Sequence, residues 1–426
     1  MESILKLFNK NFINLFFAQL FTHLGDALIQ VVFIAYIIAN IEKPGYMISF
    51  ALLCFILPSF IISPLAGSIV DRFSRKKIMF CSAIYRASII LGLLILYFLF
   101  NKYYISGKPI WLELTTINFL IGIGTAFFYP AKMAIIPHVV PAKSLKPANA
   151  LISSSGTWAL TFGALVSTYI FTGIGSLKTI YIAFGLYFIA SILLLTLKNI
   201  KKDFCTTNSV MNEQFSVIKD YRKTSSFLKS HKRALNMIGL AVVMALISAG
   251  IYNSMNAVAT NDYHLGIQRL AQLKCMLGCG TCYGVAVIFL FGKYLKTNKL
   301  LAMGFMGLFL CLITSPLCNT FMKARIWLIC IGILASILNI TIITILQKIS
   351  PDFIRGKVFA FLSMLTTIAS IIATGMVTIA VKFIEPLFII QIIALFSALL
   401  SFIILIAGRE FIYKILKATL CRIIRL

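Results

Sequence analysis

The stretch GSIVDRFSRKK, residues 67–77, places one acidic and four basic side chains between two long apolar runs. The run before it is YMISFALLCFILPSFIISPLA, residues 46–66, and the run after it is IMFCSAIYRASIILGLLILYFLF, residues 78–100. Each run is long enough to cross roughly 30 Å of hydrocarbon as a helix. The charged stretch is therefore predicted to be a tight turn at a membrane surface.

The composition of the whole chain extends this prediction. Of the 426 residues, 60% are hydrophobic and only 12% are charged. This mixture excludes a soluble globular domain, because the surface of such a domain would be one apolar patch. Apolar runs of about 20 residues recur, and the alternating pattern of about ten residues that marks a barrel strand is absent. The sequence therefore predicts an all-α membrane protein.

Twelve apolar spans fall into two sets of six, separated by a polar, basic segment that is predicted to be a cytoplasmic linker. The first run is too long for a signal-peptide core, so it is predicted to be a retained span. The predicted units are an N-terminal six-helix bundle (1–197), the linker (198–233), a C-terminal six-helix bundle (234–407) and a basic amphipathic tail (408–426) that is expected to lie on the inner leaflet. The spans are 12–39, 46–70, 78–100, 112–140, 150–173, 178–197, 234–258, 268–292, 299–318, 324–347, 356–381 and 386–407.

Basic residues are distributed unevenly over the predicted loops. If the N-terminus is cytoplasmic, 28 of the 39 Lys and Arg residues lie in or next to the inside loops and tails, and 9 lie in or next to the outside loops. This asymmetry follows the positive-inside rule and predicts that both termini are cytoplasmic. The net charge of +27 would also suit a nucleic-acid surface. Basic and aromatic residues do not cluster on a soluble face, however, so no nucleic-acid partner is expected.

Three cysteines have the C-x3-C-x2-C spacing of a radical iron–sulfur site, namely Cys275, Cys279 and Cys282. They fall inside an apolar span, where positions i, i+4 and i+7 form one face of a helix. Small, polarisable side chains pack well between membrane helices. We therefore interpret these cysteines as packing residues, and neither a metal nor a cofactor is expected.

The opening stretch resembles the loop signature G-x-x-x-D-R-x-G-R-K of the major facilitator superfamily. The matching residues are Gly67, Asp71, Arg72, Arg75 and Lys76, and Ser74 stands where the family usually has Gly. The resemblance implies twelve transmembrane helices in two pseudo-symmetric six-helix bundles, with transport by alternating access.

These five residues are predicted to form a conformational latch between the two halves. Gly67 lets helices approach closely, and Asp71 is placed to meet a helix N-terminus or a basic partner across the seam between the halves. The basic residues can form charged bonds that exist in only one conformation. The alternative is a solvated, positively charged inside loop. The corresponding stretch of the second half begins at Gly292 and has Lys296 at the position of the acid, so the two seams are expected to be asymmetric.

A second resemblance narrows the family. GTAFFYPAKMAIIPHVVPAKSLKPANAL, residues 124–151, resembles the branch that contains the enterobactin exporter and macrolide-efflux proteins, and so does PDFIRGKV, residues 351–358. The lysophospholipid transporter of the bacterial inner membrane is a close relative, but this chain has Ala27 and His138 where that family has Asn and Glu. Many proton-coupled exporters carry an Arg where this chain has Asn118. Proton coupling by that route is therefore not expected.

Polar stripes on spans 1 and 4 are predicted to line the substrate cavity, because polar side chains in hydrocarbon must face a cavity or another helix. The alternative is that these polar side chains form hydrogen bonds between neighbouring helices and line no cavity. Asp26 and Lys132 are expected to pair in at least one conformation. Arg86 is either functional or a structural anchor that snorkels to the inner headgroups. The candidate cavity and coupling residues are Gln19, His23, Asp26, Gln30, Asn118, Tyr129, Lys132 and Arg86.

Two classes of function were weighed against these residues. An intramembrane enzyme needs convergent catalytic groups, and the sequence contains neither a metal-binding helix motif nor a nucleophile with its base. No Walker motif is present to use ATP directly. We therefore predict a monomeric secondary transporter, not an enzyme, that uses a proton or other ion gradient, as an antiporter would. Export of an amphiphilic drug- or siderophore-like molecule is the first expectation, and inward flipping of a lysophospholipid is the alternative.

Overall fold

The computed structural model describes residues 9–40, 44–99, 110–198, 226–228, 230–261, 267–292, 297–314 and 320–380, together with residues 224, 383, 388, 391, 392 and 395. Every regular element within these ranges is a helix. Most of the twelfth predicted span, most of the linker and the whole tail from residue 408 lie outside the described residues. The other eleven predicted spans each correspond to a helix.

The helices are numbered α1 to α11 in chain order. The fifth, α5, consists of two α-helical segments joined by a π-helical turn, Ala159–Gly163. Eight stretches of the described chain are long and apolar enough to cross a membrane, judged by length and composition. The bounds are α1 Lys10–Asn40, α2 Pro44–Arg72, α3 Arg75–Leu99, α4 Ile110–Val139, α5 Leu145–Trp158 and Ala164–Ile174, α6 Ser176–Leu195, α7 Lys232–Asn261, α8 Ile267–Phe291, α9 Thr297–Ile313, α10 Phe321–Ile349 and α11 Arg355–Ala380.

The same pair of helices packs most closely in each half, namely the second helix of the half against the fourth. In the first half, a Cβ atom on Gly122 of α4 would collide with the carbonyl oxygen of Phe55 in α2. In the second half, a Cβ atom on Gly280 of α8 would collide with the carbonyl oxygen of Ile329 in α10. Small residues stabilise such contacts because backbone packing drives association where water is absent. The shared arrangement supports the pseudo-symmetry of the two halves that the family resemblance implies.

Replacement of Gly122 by Ala is expected to lower the thermal stability of the detergent-purified protein, because the added methyl group must push α4 away from α2. Overpacking of this kind costs about 1–3 kcal/mol. The matched control is Gly92→Ala in α3, where a new Cβ atom meets no atom within 4 Å. Equal melting temperatures for the two variants would contradict the close packing of α2 and α4.

The two halves meet where α2 packs against α11 and α5 packs against α8. Along the second of these seams, the indole Nε1 of Trp158 donates to the Sγ atom of Cys282 at 2.9 Å. This contact turns the cysteine-bearing face of α8 toward α5. The contact between Trp158 and Cys282 therefore supports the interpretation of these cysteines as packing residues. Trp158 also directly precedes the π turn of α5, and such turns recur at functional sites in helices.

Candidate functional site

A buried ion pair occupies the interior of the first half. Asp26 of α1 lies 3.4 Å from Nη1 of Arg86 in α3, measured from either carboxylate oxygen. The hydroxyl of Tyr187 in α6 donates to Asp26 Oδ1 at 2.6 Å. Gly25 makes room for this contact, since a Cβ atom there would lie 2.9 Å from the Tyr187 ring. Three helices thus converge on one carboxylate.

Arg86 is enclosed rather than anchored at a membrane surface. The residue is 1% exposed, and its guanidinium lies 5.3 Å from the ring centroid of Phe128 and 5.9 Å from that of Tyr187. A Cβ atom on Gly124 of α4 would meet the Arg86 side chain at 2.9 Å, so glycine is needed for α4 to pack over it. The alternative of a snorkelling anchor is therefore wrong, because the charge is held by a carboxylate and two aromatic faces.

Lys132 does not pair with Asp26 in this conformation, and pairing in another conformation stays a prediction. Arg86 reaches the carboxylate instead. The Lys132 ammonium lies 5.1 Å from the ring centroid of Tyr129, one helical turn away on α4. Lys132 is 5% exposed, so its charge is also enclosed.

The other candidates of the α1 stripe take different roles. Gln19 is buried, and its amide nitrogen donates to the carbonyl oxygen of Ile152 at 2.8 Å, which ties α1 to α5. His23 Nδ1 lies 3.9 Å from Asp26 Oδ2, and its ring faces Gly156 of α5. Gln30 is half-buried on α1. These contacts place His23 with Asp26 and show Gln19 as a link between helices.

Two further residues qualify the sequence-based candidate set. Asn118 is buried in α4. Tyr187 was not predicted as a site residue, although it is completely buried and bonds directly to the carboxylate. In the sequence, Tyr187 is a tyrosine within the apolar run of span 6. Such a residue is equally compatible with a site hydroxyl and with an aromatic side chain that only packs.

The Asp71 carboxylate crosses the seam between the halves. Its Oδ1 accepts from the backbone N–H of Gly356 at 2.7 Å, and its Oδ2 accepts from that of Lys357 at 2.9 Å. Both donors belong to the first turn of α11, where unsatisfied N–H groups and the helix dipole favour an anion. The carboxylate of the first half therefore caps a helix of the second half.

Two glycines allow this approach. A Cβ atom on Gly67 would lie 2.8 Å from the Cα atom of Lys357, and one on Gly356 would lie 2.5 Å from the Asp71 carboxylate. A side chain at either position would separate α2 from α11. The role expected for Gly67 from the sequence thus has a concrete cause in the packing of these helices.

Arg75 makes the second contact across the same seam. Its Nη2 donates to the carbonyl oxygen of Asp352 at 2.6 Å, while its Nη1 donates to that of Ala134 at 3.2 Å and lies 2.5 Å from His138 Nε2. On the opposite side, the Asp352 carboxylate pairs with Arg355 and lies 3.5 Å from His138 Nε2. Asp71 and Arg75 thus fasten the first half to the residues that begin α11.

Lys76 does not belong to the latch, and this corrects the grouping made from the sequence. Its Nζ donates to the carbonyl oxygens of Leu195 and Leu197 at 2.7 and 2.8 Å, which caps the end of α6 within the first half. The Asn11 side chain exchanges two hydrogen bonds with the backbone of Lys198 just beyond. The spacing of basic residues in a turn does not reveal which carbonyl groups each will meet. Arg72 is half-buried at the end of α2.

The second seam uses different chemistry. Lys146, in the first turn of α5, donates to the carbonyl oxygen of Gly292 at 3.2 Å. Nearby, the Asn149 amide donates to Thr344 at 3.0 Å and to Gln347 at 2.5 Å, and all three side chains are buried. A lysine and an amide cluster therefore stand where the first seam has a carboxylate and an arginine. Lys296, the residue behind the predicted asymmetry, lies outside the described residues.

Comparison with known proteins decides the family. The model of the Major Facilitator Superfamily matches residues 15–374. The chain belongs to the major facilitator superfamily. This superfamily member is 22% identical to the uncharacterised MFS-type transporter YkuC of Bacillus subtilis over 302 residues, 69% of this chain and 67% of that protein. It is 32% identical to macrolide efflux protein A of Streptococcus pyogenes over 136 residues, 32% of this chain and 31% of that protein.

Solved structures show the same fold. The crystal structure of the human organic anion transporter MFSD10 matches this transporter with a TM-score of 0.73, over 93% of this chain and 99% of that one, at 11% identity. The predicted all-α membrane fold of the major facilitator type is therefore confirmed. So is the prediction that the chain is a multi-pass membrane transporter and not an enzyme, since the family and the named relatives are transporters.

Proposed function

We propose that this transporter works by alternating access and exports an amphiphilic small molecule, driven by a proton or other ion gradient. The observation that carries the proposal is the set of charged side chains inside the first half, Asp26, Arg86 and Lys132, in helices that are otherwise apolar. Each such charge costs roughly 2.5–3.5 kcal/mol at the centre of a membrane helix. A charged residue with a cost of this size is kept in a membrane helix where its charge binds a polar cargo or a coupling ion.

The proposed orientation follows the distribution of basic residues. With both termini in the cytoplasm of a bacterial cell, the Asp71 and Arg75 contacts lie at the cytoplasmic end of the plasma membrane. The helix-capping contact then holds the two halves together on that side. Release of the contact is proposed to accompany the change to the inward-open conformation, because a bond made in one state alone shifts the balance between states. The proposed units are the bundles 1–197 and 234–407, and a monomer suffices for this cycle.

The amphiphilic character of the cargo is proposed from the surroundings of the charged set. Phe128, Tyr129 and Tyr187 lie directly against Arg86 or Lys132. A site of this kind offers an apolar wall beside charged groups, which suits a ligand that has both kinds of surface. The partial similarity to macrolide efflux protein A favours export of such a molecule.

Inward movement of a lysophospholipid is the second candidate. Pro130, Ala131 and Lys132 form the element that resembles the lysophospholipid transporter, and Lys132 is a buried cation that a lipid phosphate would suit. The two candidates differ in direction and in cargo, so a single assay separates them.

The deciding experiment uses purified protein in proteoliposomes and follows a macrolide, a catecholate siderophore and a lysophospholipid in both directions. Gradient-dependent movement of at least one compound is expected, and an ionophore should abolish it. Asp26→Asn protein should lose this flux, with Lys77→Gln as a control, because Lys77 is exposed outside the spans. Absence of flux for every compound, or flux that is indifferent to the ionophore, would contradict secondary transport of these cargo classes.

A further inference from the structure

We propose that Lys132 binds an anionic group of the cargo, so that the transported amphiphile carries a negative charge such as a phosphate or carboxylate. This inference rests on the proposed transport function and names the chemical class that the same site takes.

Lys132 is a buried cation with no carboxylate partner among the described residues. It is 5% exposed, and no carboxylate of the described residues lies within 4 Å of its ammonium group. Its one polar contact there is the face of the Tyr129 ring at 5.1 Å. An ammonium group held away from water is stable only with a partner that replaces its hydration. The structure thus presents one unmet requirement for an anion.

The nearest acid does not meet this requirement. Among the described residues around this pair of cations the acid is Asp26, and both of its oxygens face Arg86, with Tyr187 donating to one of them. Arg86 lies against the ring of Phe128 and Lys132 against the ring of the adjacent Tyr129, so the two cations share one site. One carboxylate against two cations leaves an excess of one positive charge. That excess matches a cargo with a single anionic group.

The shape of the contact indicates what kind of anion fits. A lysine binds phosphate and similar groups as a compact point charge with three donors, without the planar fork that arginine presents to carboxylates. The Tyr129 ring supports the ammonium from one side and leaves its other donors for the ligand. The apolar part of the ligand then meets the aromatic side chains around it. An amphiphile with one anionic group satisfies both features.

Binding of three probes that share an eight-carbon tail tests this inference: octyl phosphate, octyltrimethylammonium and octanol. The full-length protein is placed in nanodiscs, and the affinity for each probe is measured by titration. Octyl phosphate is expected to bind the unmodified protein at least about tenfold more tightly than octyltrimethylammonium, and Lys132→Gln should remove that preference. Lys132→Arg should retain most of the preference, and Lys77→Gln all of it.

Equal affinity of the unmodified protein for the anionic and cationic probes would overturn the inference. So would an unchanged preference in Lys132→Gln. If Lys132→Gln protein does not fold, the anion site is tested by the affinity ranking of the three probes on the unmodified protein and on Lys132→Arg protein. Lys132-dependent binding of octyl phosphate without any flux in proteoliposomes would leave the anion site in place and contradict transport. Flux of a neutral or cationic compound that is unaffected by Lys132→Gln would support transport and contradict the anion site.

Discussion

Replacement of Arg86 by Gln is expected to abolish transport and to destabilise the protein by about 3–5 kcal/mol, the usual cost of removing one partner from a buried ion pair. The reason is that Asp26 would keep its charge and its Tyr187 bond but lose the guanidinium that faces both of its oxygens. No other Lys or Arg pairs with Asp26 among the described residues, since Lys132 lies against Tyr129 instead.

A double variant separates the loss of charge balance from the loss of function. Asp26→Asn combined with Arg86→Gln leaves no bare charge, so its melting temperature should recover most of the loss seen for Arg86→Gln alone. Its transport should stay absent, because neither charge of the cycle remains. Thermal unfolding in nanodiscs and flux in proteoliposomes give the two readouts, with Lys77→Gln as the exposed control. A double variant that is no more stable than Arg86→Gln would contradict the pairing.

Replacement of Asp71 by Asn is expected to weaken the cytoplasmic seam and to shift the resting population toward the inward-open conformation. The amide oxygen can accept one of the two bonds from Gly356 and Lys357, but the amide NH₂ group faces the other donor and cannot accept. The negative charge at the start of α11 is lost as well. A charge-assisted hydrogen bond contributes about 1.5–3 kcal/mol, so a population shift of at least about tenfold is expected.

Spin labels on either side of the seam measure this shift. Phe73 at the end of α2 and Phe353 just before α11 are both exposed, so Phe73→Cys and Phe353→Cys can be labelled in protein from which the ten natural cysteines have been removed. Asp71→Asn should populate a longer distance. Lys76→Gln is the matched control, since Lys76 contacts carbonyl groups of its own half. An unchanged distance in Asp71→Asn, or the same change in Lys76→Gln, would rule out the latch.

The fold was predictable because its determinants are local. Apolar runs of membrane length fix where helices form, and eleven of the predicted spans have a helix at the expected place. The charged turn after span 2 shows where the family signature lies in the chain. Asp71 of that turn meets a helix N-terminus in the other half, as predicted. The π turn in α5 was not predicted, because nothing in the run of small and apolar residues around it marks a change in helical pitch.

The candidate site was predictable in part. Polarity inside an apolar span singled out Asp26, Arg86 and Lys132 one by one, since charge in hydrocarbon is costly wherever it occurs. Which of them pair depends on the rotation of α1, α3 and α6 about their axes, and single-helix patterns do not carry that information. The pairing of Asp26 with Arg86, the bond from Tyr187 and the place of Lys76 against α6 are all contacts between helices that are distant in the sequence.

The capping of α6 by Lys76 and Asn11 also fixes where the covalent tether between the halves begins. The chain is held to the first half as far as Lys198, and it is packed into the protein again at the buried residues Thr224 and Leu228. The 25 residues from 199 to 223 have a contour length on the order of 80 Å at about 3.3 Å per residue. A covalent connection of that length does not by itself hold the two halves together, so the contacts at the two seams do.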